Sequence, residues 1–276
     1  MESARLECEL LLAHILGVQR HQIYLSQAES ITSEQKQAFD KLLQRRLVGE
    51  PLQYILGSWE FMGLPFKLDP RVLIPRWETE WLVDTILKLV KEREPFLHIL
   101  DLGTGSGAIA ISLAHYLPHA KVTAVDIQKD ALDLAKENAE HNGVAHHIEF
   151  VHGDMFAPFA LPSSKIRFDV IVSNPPYIPT KEIDLLMKEV RDYEPVVALD
   201  GGVDGLDYYR QIAKEAGHYL NDDGFVAMEM GKGQSQGIRE LFLELDKTWQ
   251  SVEIIQDPAG IDRIAIIHKR QGVCTC

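Results

Sequence analysis

The chain of 276 residues is poor in cysteine and has no long hydrophobic run. Its three cysteines are Cys8, Cys274 and Cys276, too few for a disulfide framework, and this favours a reducing compartment. We interpret the last two as part of a frayed terminus. No stretch approaches the roughly 18 uninterrupted apolar residues of a membrane-spanning helix, and residues 1–5 lack the features of a signal peptide. We expect a soluble, cytoplasmic protein with no membrane partner.

Basic residues are also scarce, since 28 Lys and Arg face 41 Asp and Glu and the net charge is −13. Such a surface repels a phosphate backbone, so we expect no direct nucleic-acid partner. The 11 histidines show no metal-ligand spacing with cysteines or carboxylates, and no Ser/His/Asp or Cys/His arrangement is present. We therefore predict no metal site. The hydrophobic content of 46% is enough for a real core and excludes a disordered chain.

The first part of the chain predicts helices. Residues 2–17 carry leucines at helical spacing, and a second helix is expected to begin after Thr32. Thr32 and Gln35 have the spacing of a capping box, and the helix is expected to end at Gly49. We assign residues 1–50 to a small helical domain.

A β-hairpin is predicted next. The segments 59–62 and 65–68 have strand-like composition and are separated by Gly63. We assign residues 51–76 to a β-hairpin linker that leads into a helix over residues 78–92.

The rest of the chain, residues 77–276, alternates short apolar runs with amphipathic segments, which is typical of a doubly wound parallel α/β sheet. The last two strands are joined only by the residues 257–262, too few for a parallel crossover, so the last strand is expected to be antiparallel. The predicted strands are 97–102, 121–126, 148–151, 168–173, 224–230, 251–256 and 263–268, and the helices between them are 107–117, 129–141, 207–220 and 234–245.

A glycine-rich turn follows the first of these strands. Such a turn lets a ligand approach the backbone, with the N–H groups of the next helix facing it. Asp126 ends the next strand, where a carboxylate accepts the ribose hydroxyls of a nucleoside. The pattern also satisfies a loose dinucleotide fingerprint, so NAD stays open as a ligand. The turn consists of Gly103, Thr104, Gly105, Ser106 and Gly107.

The tetrad Asn174-Pro175-Pro176-Tyr177 follows an apolar strand, and so should face the glycine-rich turn. The prolines fix the backbone in an extended form. The Asn174 side-chain oxygen and a proline carbonyl are then two acceptors for one NH2 group. The ring of Tyr177 is placed to cover a flat substrate or a cation.

Further segments complete the pattern: Gly49-Glu50-Pro51-Leu52-Gln53-Tyr54-Ile55-Leu56-Gly57, Val72-Leu73-Ile74-Pro75-Arg76, Glu194-Pro195, Asp204-Gly205-Leu206 and Gly260-Ile261-Asp262-Arg263. With the glycine-rich turn and the tetrad, the chain resembles the PrmC/HemK family, the protein-(glutamine-N5) methyltransferases of release factors. It departs from the family at Trp77, where a proline is usual, and this is expected to loosen the start of the helix over 78–92.

The resemblance implies a Rossmann-like class I methyltransferase sheet of seven strands, with S-adenosyl-L-methionine as cofactor and S-adenosyl-L-homocysteine as product. It implies methylation of the GGQ glutamine of class 1 peptide chain release factors, with substrate recognition by the helical domain. We expect a monomer. The resemblance implies catalytic roles for Asn174, Pro175 and Tyr177; cofactor contacts from Gly103, Thr104, Gly105, Ser106, Gly107, Asp126, Met155 and Asn174; and substrate contacts from Asn174, Pro175, Pro176, Tyr177, Arg76 and Glu80.

Three alternatives remain open. An adenine-N6 methyltransferase of DNA or RNA shares the tetrad, but it would need a basic groove to hold a flipped base. A non-catalytic nucleoside-binding module would leave the tetrad without a role. An NAD-dependent dehydrogenase fits the glycine-rich turn but not the antiparallel final hairpin.

Overall fold

The computed structural model describes residues 2–25, 31–91, 93, 96–160, 166–244 and 248–270. The interpretation of Cys274 and Cys276 as a frayed terminus therefore lies outside the described residues, as do the last residues of the helices predicted over 78–92 and 234–245. Within the described ranges, no helix is both long and apolar enough to cross a membrane.

The N-terminal segment is helical, as the apolar spacing predicts. Thr32 Oγ1 accepts the backbone N–H of Gln35 at 3.2 Å, and the Gln35 side chain accepts that of Thr32 at 2.8 Å, which confirms the predicted capping box. A small apolar cluster of Leu11, Leu52 and Ile55 joins these helices. They are α1 (Glu2–Leu16), α2 (Gln22–Leu25), α3 (Ser33–Leu47) and α4 (Leu52–Leu56).

The predicted hairpin is present as β1 (Ser58–Phe61) and β2 (Leu64–Lys67), which pair in antiparallel register. The hairpin packs on the main sheet, because Phe61 and Phe66 are fully buried in the same apolar core as that sheet. Helix α5 (Trp77–Val90) follows and packs on that core.

The main sheet has seven strands in the order β5-β4-β3-β6-β7-β9-β8. Strand β9 is antiparallel to both of its neighbours, which confirms the predicted antiparallel last strand. Its position between β7 and β8 was not predicted. The strands are β3 (His98–Leu102), β4 (Lys121–Asp126), β5 (Ile148–His152), β6 (Phe168–Ser173), β7 (Leu220–Glu229), β8 (Trp249–Gln256) and β9 (Asp262–Lys269).

Helices cover both faces of this sheet and form two apolar layers. Because side chains alternate along a strand, Ile99 packs into one layer and Leu100 into the other. Strands β3, β4 and β6 are mutually parallel, so their carboxyl ends meet at one edge. The helices are α6 (Ala108–Tyr116), α7 (Lys129–His141), α8 (Lys188–Arg191), α9 (Asp207–Tyr219) and α10 (Ser235–Leu243).

Candidate active site

A cavity opens at the carboxyl ends of β3, β4 and β6. It brings together residues that the sequence places in three separate motifs. Predicted site residues outside its lining are Thr104, Ser106, Gly107, Tyr177, Arg76 and Glu80. The predicted residues that line it are Gly103, Gly105, Asp126, Met155, Asn174, Pro175 and Pro176.

The glycine-rich turn leaves open space beside its backbone. Gly103 and Gly105 have φ angles of 73° and 57°, and a Cβ added to either would meet no atom within 4 Å. Gly107 has a different reason to be glycine, since a Cβ there would lie 2.7 Å from Ile111 Cδ1. The first two glycines therefore make room for a ligand, and the third lets α6 pack closely.

Asp126 supports the turn and keeps acceptor capacity for a ligand. One of its oxygens accepts the Gly105 N–H at 2.8 Å and the other accepts the Gln128 N–H at 2.8 Å. A carboxylate oxygen has room for a second hydrogen bond, so two neighbouring hydroxyl groups fit this side chain. Burial raises the pKa of Asp126 above its ordinary value, although both backbone N–H groups oppose that rise.

A second carboxylate, which the sequence analysis did not single out, lies beneath the turn. Asp101 is fully buried, and burial raises its pKa to about 7. Its Oδ2 accepts the Thr104 hydroxyl at 2.6 Å and the Ala110 N–H at 3.2 Å, while its Oδ1 has no hydrogen-bond partner among the described residues. An orphaned carboxylate oxygen fits a site that receives a donor from a ligand. The available signal was a carboxylate inside the apolar strand β3.

Met155 forms the wall of the cavity beyond β5. It is buried and has a φ angle of 46°, which is uncommon for a side chain other than glycine. The preceding Gly153 donates its N–H to the Asp126 carbonyl at 3.0 Å, so the end of β5 is tied to the end of β4. Asp154 lines the same wall.

In the tetrad, the Asn174 side chain is held by one end. Its Nδ2 donates to Thr79 Oγ1 at 3.0 Å, and the Thr79 hydroxyl donates to Glu229 Oε2 at 2.6 Å. The Asn174 Oδ1 takes part in neither bond. The structure therefore leaves the amide oxygen as the group available to a substrate.

Tyr177 lies beside the cavity rather than in it. Its ring packs against Gly231, where an added Cβ would come within 3.0 Å of it, and its carbonyl accepts the Gln234 side-chain amide at 2.9 Å. Burial raises the pKa of the Tyr177 phenol, which also faces Glu229. The ring lines a neighbouring groove and is not part of the cavity lining. The predicted contact between this ring and a substrate amide stays a prediction.

Arg76 and Glu80, each predicted to contact the substrate, lie in different surroundings. Arg76 pairs with the buried carboxylate of Glu194 at 2.5 Å, near the tetrad. Glu80 accepts the Met62 N–H at 2.6 Å, at a hairpin turn where Met62 has a φ angle of 52°. That bond satisfies a turn N–H and holds the hairpin on α5, so the geometry gives Glu80 a structural contact rather than a place in the cavity.

Titratable side chains do not form a metal centre in the part of the chain that the structure describes, where no three His, Cys, Asp or Glu residues are grouped to hold an ion.

Two family models match separate parts of the chain. Residues 1–57 match the PrmC N-terminal domain, and residues 79–190 match the methyltransferase small domain. The second match contains the glycine-rich turn, Asp126 and the tetrad. The predicted domain boundaries at residues 50 and 76 are not tested by these matches and stay predictions.

Known proteins match almost the whole chain. The release factor glutamine methyltransferase of Geobacter sulfurreducens is 44% identical over 264 residues, 96% of this chain and 89% of that protein. That of Moorella thermoacetica is 40% identical over 271 residues, 98% and 93% of the two chains. The human METTL16 catalytic domain, solved with an RNA hairpin, covers 78% of each chain with a TM-score of 0.58, and at 15% identity it shows the fold alone. This chain, with its class I methyltransferase sheet, belongs to the release factor glutamine methyltransferase family.

Proposed function

We propose that this protein transfers a methyl group from S-adenosyl-L-methionine to the side-chain nitrogen N5 of the GGQ glutamine in class 1 peptide chain release factors. One observation carries the proposal: the Asn174 amide is tied through its nitrogen, and its oxygen stays available where the tetrad meets the cavity. A glutamine side-chain NH2 has two N–H donors and needs two acceptors. Asn174 Oδ1 and the Pro175 carbonyl supply them.

Three features of the cavity and of the glycine-rich turn beside it suit the cofactor. Gly103 and Gly105 leave open space for a ligand against the backbone, and Asp126 has acceptor capacity for two ribose hydroxyls. Beneath the turn and outside the cavity lining, the buried Asp101 Oδ1 has no hydrogen-bond partner among the described residues, which suits a positive charge nearby such as the amino-acid end of the cofactor. We propose that Thr104, Ser106 and Gly107 act by shaping this turn. When bound, S-adenosyl-L-methionine supplies an electrophilic methyl group on a positively charged sulfur.

The protein's own contribution is orientation. An amide nitrogen is a poor nucleophile because its lone pair is delocalised into the carbonyl. Two acceptors that hold both N–H groups turn that lone pair in one direction, and positioning of this kind contributes about 7–11 kcal/mol in favourable cases. The buried Pro175 keeps its carbonyl at a fixed place. The proton then leaves to water, so no dedicated base is needed.

We assign substrate recognition to residues around the cavity and to the N-terminal helices. Pro176 lines the cavity, Tyr177 lines the neighbouring groove, and the charge of Arg76 acts on Tyr177. We propose that a protein loop of the substrate enters here. The N-terminal helices expose large apolar side chains, which suits contact with a protein. We propose residues 1–50 as the helical recognition domain, 51–76 as the hairpin segment and 77–276 as the catalytic domain, in a cytoplasmic monomer. The exposed side chains are Leu6, Val18, Tyr24, Ile31, Leu47 and Val48.

The test is mass spectrometry of a release factor incubated with the protein and S-adenosyl-L-methionine, beside a titration with S-adenosyl-L-homocysteine. We expect one added methyl on the GGQ glutamine. Asn174→Ala should reduce turnover by about 10²-fold or more and change cofactor affinity little. The matched control is Asn142→Ala, at the C-cap position that follows α7 and outside the lining of the cavity. Full turnover by Asn174→Ala, or methylation of adenine in an oligonucleotide instead of the release factor, would overturn the proposal.

A further inference from the structure

We propose that Glu229 and Thr79 are positioning residues that fix the direction of the Asn174 amide, so that the substrate meets its oxygen and not its nitrogen. This inference rests on the function proposed above. It adds two side chains that do not line the cavity and to which the sequence analysis gave no role.

The three side chains form a continuous chain of hydrogen bonds across three elements. Glu229 ends β7, Thr79 lies in the first turn of α5, and Asn174 follows β6. The Thr79 Oγ1 to Glu229 Oε2 distance is 2.6 Å, and the Asn174 Nδ2 to Thr79 Oγ1 distance is 3.0 Å. Glu229 and Thr79 are only 1% and 4% exposed, so water does not compete for the bond between them, and the bond from Asn174 to Thr79 is partly buried.

The polarity of the chain follows from the chemistry of its ends. An ionised carboxylate only accepts hydrogen bonds, so Glu229 takes the single hydroxyl proton of Thr79. The Thr79 oxygen then has only lone pairs to offer, and only the Asn174 nitrogen can donate to them. A flipped Asn174 amide would place its oxygen against the Thr79 oxygen, with no proton between them. Burial makes such an unpaired contact costly.

The backbone at both ends of this hydrogen-bond chain is also held by neighbouring segments. The Tyr209 hydroxyl donates to the Glu229 carbonyl at 2.9 Å. At the other end, a Cβ added to Gly201 would lie 2.8 Å from the Pro176 carbonyl, so the backbone at Gly201 packs closely against the backbone of the tetrad. Both ends of the hydrogen-bond chain are therefore attached to backbone that is itself held by neighbouring segments.

A consequence for specificity follows. With its oxygen outward, Asn174 joins the Pro175 carbonyl in an all-acceptor site that suits an NH2 group and disfavours a carboxylate oxygen. Glutamine and glutamate differ in this group alone. The Glu229–Thr79 pair therefore selects glutamine through Asn174, without touching the substrate.

The charge on Glu229 provides a second readout. Burial raises its pKa to about 7, and the charged or titratable groups that face it are Glu78, Arg76, Arg263, Tyr177 and Tyr209. A protonated Glu229 can donate its proton to the Thr79 oxygen. The Thr79 hydroxyl can then donate to Asn174 as well as accept from it, so either direction of the Asn174 amide is satisfied. The maximal rate at saturating cofactor should fall as the pH drops through about 7.

The experiment compares Thr79→Val, which keeps the shape but loses the hydroxyl, with Thr79→Ser, which keeps the hydroxyl. Thr79→Val should lower kcat by about 10²-fold, leave the affinity for S-adenosyl-L-homocysteine within about twofold, and narrow the preference for a glutamine over a glutamate peptide. Thr79→Ser should restore most of the rate, and Glu229→Gln should lose the acid limb of the rate profile. Ser112→Ala, which removes another buried hydroxyl, is the matched control and should behave like the unchanged protein.

A readout without activity separates this proposal from the proposed function. In the unchanged protein, the Asn174 side-chain NH2 protons should exchange slowly with solvent by NMR, and Thr79→Val should abolish that protection. Equal protection in both proteins, or full kcat in Thr79→Val, would overturn the positioning role. A protein that protects the Asn174 amide and binds S-adenosyl-L-homocysteine but methylates no glutamine would overturn the proposed function while supporting the fixed amide.

Discussion

Asn138, on α7, joins three parts of the molecule through one buried side chain. Its Nδ2 donates to the Lys67 carbonyl at 3.1 Å and to the Ser106 carbonyl at 2.9 Å. Its Oδ1 accepts the Lys67 N–H at 2.8 Å. The hairpin strand β2, helix α7 and the glycine-rich turn are thus connected at a residue with no exposed surface. Asn138→Ala should disconnect all three.

The magnitude follows from the groups left behind. The substitution removes the partners of three main-chain groups, of which the Ser106 carbonyl is buried and the two Lys67 groups are half-buried. A buried polar group that loses its partner costs about 1–3 kcal/mol, and a less buried one costs less. We expect the free energy of unfolding to fall by about 3–5 kcal/mol, with a fall in Tm of roughly 10 °C.

Urea and thermal unfolding followed by circular dichroism measure this effect. Asn142→Ala is the matched control, because Asn142 is the C-cap residue one turn beyond Asn138 and also reaches the hairpin, through a solvent-exposed hydrogen bond to the Pro65 carbonyl at 2.9 Å. It should cost less than about 1 kcal/mol. Asn138→Leu fills the volume and separates lost packing from lost hydrogen bonds. Equal, small losses in Asn138→Ala and Asn142→Ala would refute the bridging role.

Four further outcomes are expected. Asp126→Ala should weaken S-adenosyl-L-homocysteine binding by about 10²-fold or more in calorimetry, because the ribose acceptors and the Gly105 N–H partner are lost together; unchanged affinity would contradict this. Gly107→Ala should destabilise the fold by about 1–3 kcal/mol, because Gly107 has a φ angle of 83° and its Cβ would crowd Ile111 and Ala135, and a neutral result in urea would contradict this. Burial raises the pKa of Glu229 from 4.5 to about 7, so the folded state binds this proton more tightly than the unfolded state does. Relative to Glu229→Gln, the free energy of unfolding should therefore decline by about 3 kcal/mol as the pH rises from about 4.5 to 7. Parallel pH profiles of stability for the two proteins would contradict this pKa shift. Trp77→Pro should stabilise by about 0.4–1 kcal/mol, because the first helical position has no N–H partner to lose, and a lower Tm would contradict this.

Local patterns gave the correct fold because they act over short distances. The capping box at Thr32 and Gln35 needs only a spacing of three residues. The turn before β9 is too short for anything but an antiparallel return. The insertion of β9 between β7 and β8 could not be predicted this way, because pairing partners in a sheet are chosen by packing across the whole layer.

In the candidate site too, features at strand ends could be predicted from the sequence and long-range side-chain contacts could not. The glycine-rich turn, Asp126 and the tetrad lie at strand ends, and the rule for parallel sheets brings such ends together. The supporting contacts obey no such rule: Thr79 and Glu229 are 150 residues apart in the chain. The resemblance assigns Glu80 to the substrate, whereas its bond to Met62 depends on a turn conformation that the sequence pattern does not encode.

The segments before β3 hold the site from outside the sheet. The hairpin reaches the glycine-rich turn through Asn138, and α5 reaches the tetrad through Thr79. The chain between them pairs through Arg76 with Glu194, whose neighbour Pro195 lines the cavity. A deletion of residues 1–70 would therefore remove the hairpin and disturb catalysis together with recognition. Substrate recognition by the N-terminal helices is better tested by replacing exposed side chains there, such as Leu47, which is 68% exposed. An increase in KM for release factor, with kcat and stability unchanged, then has only one explanation, which is lost contact with the substrate protein.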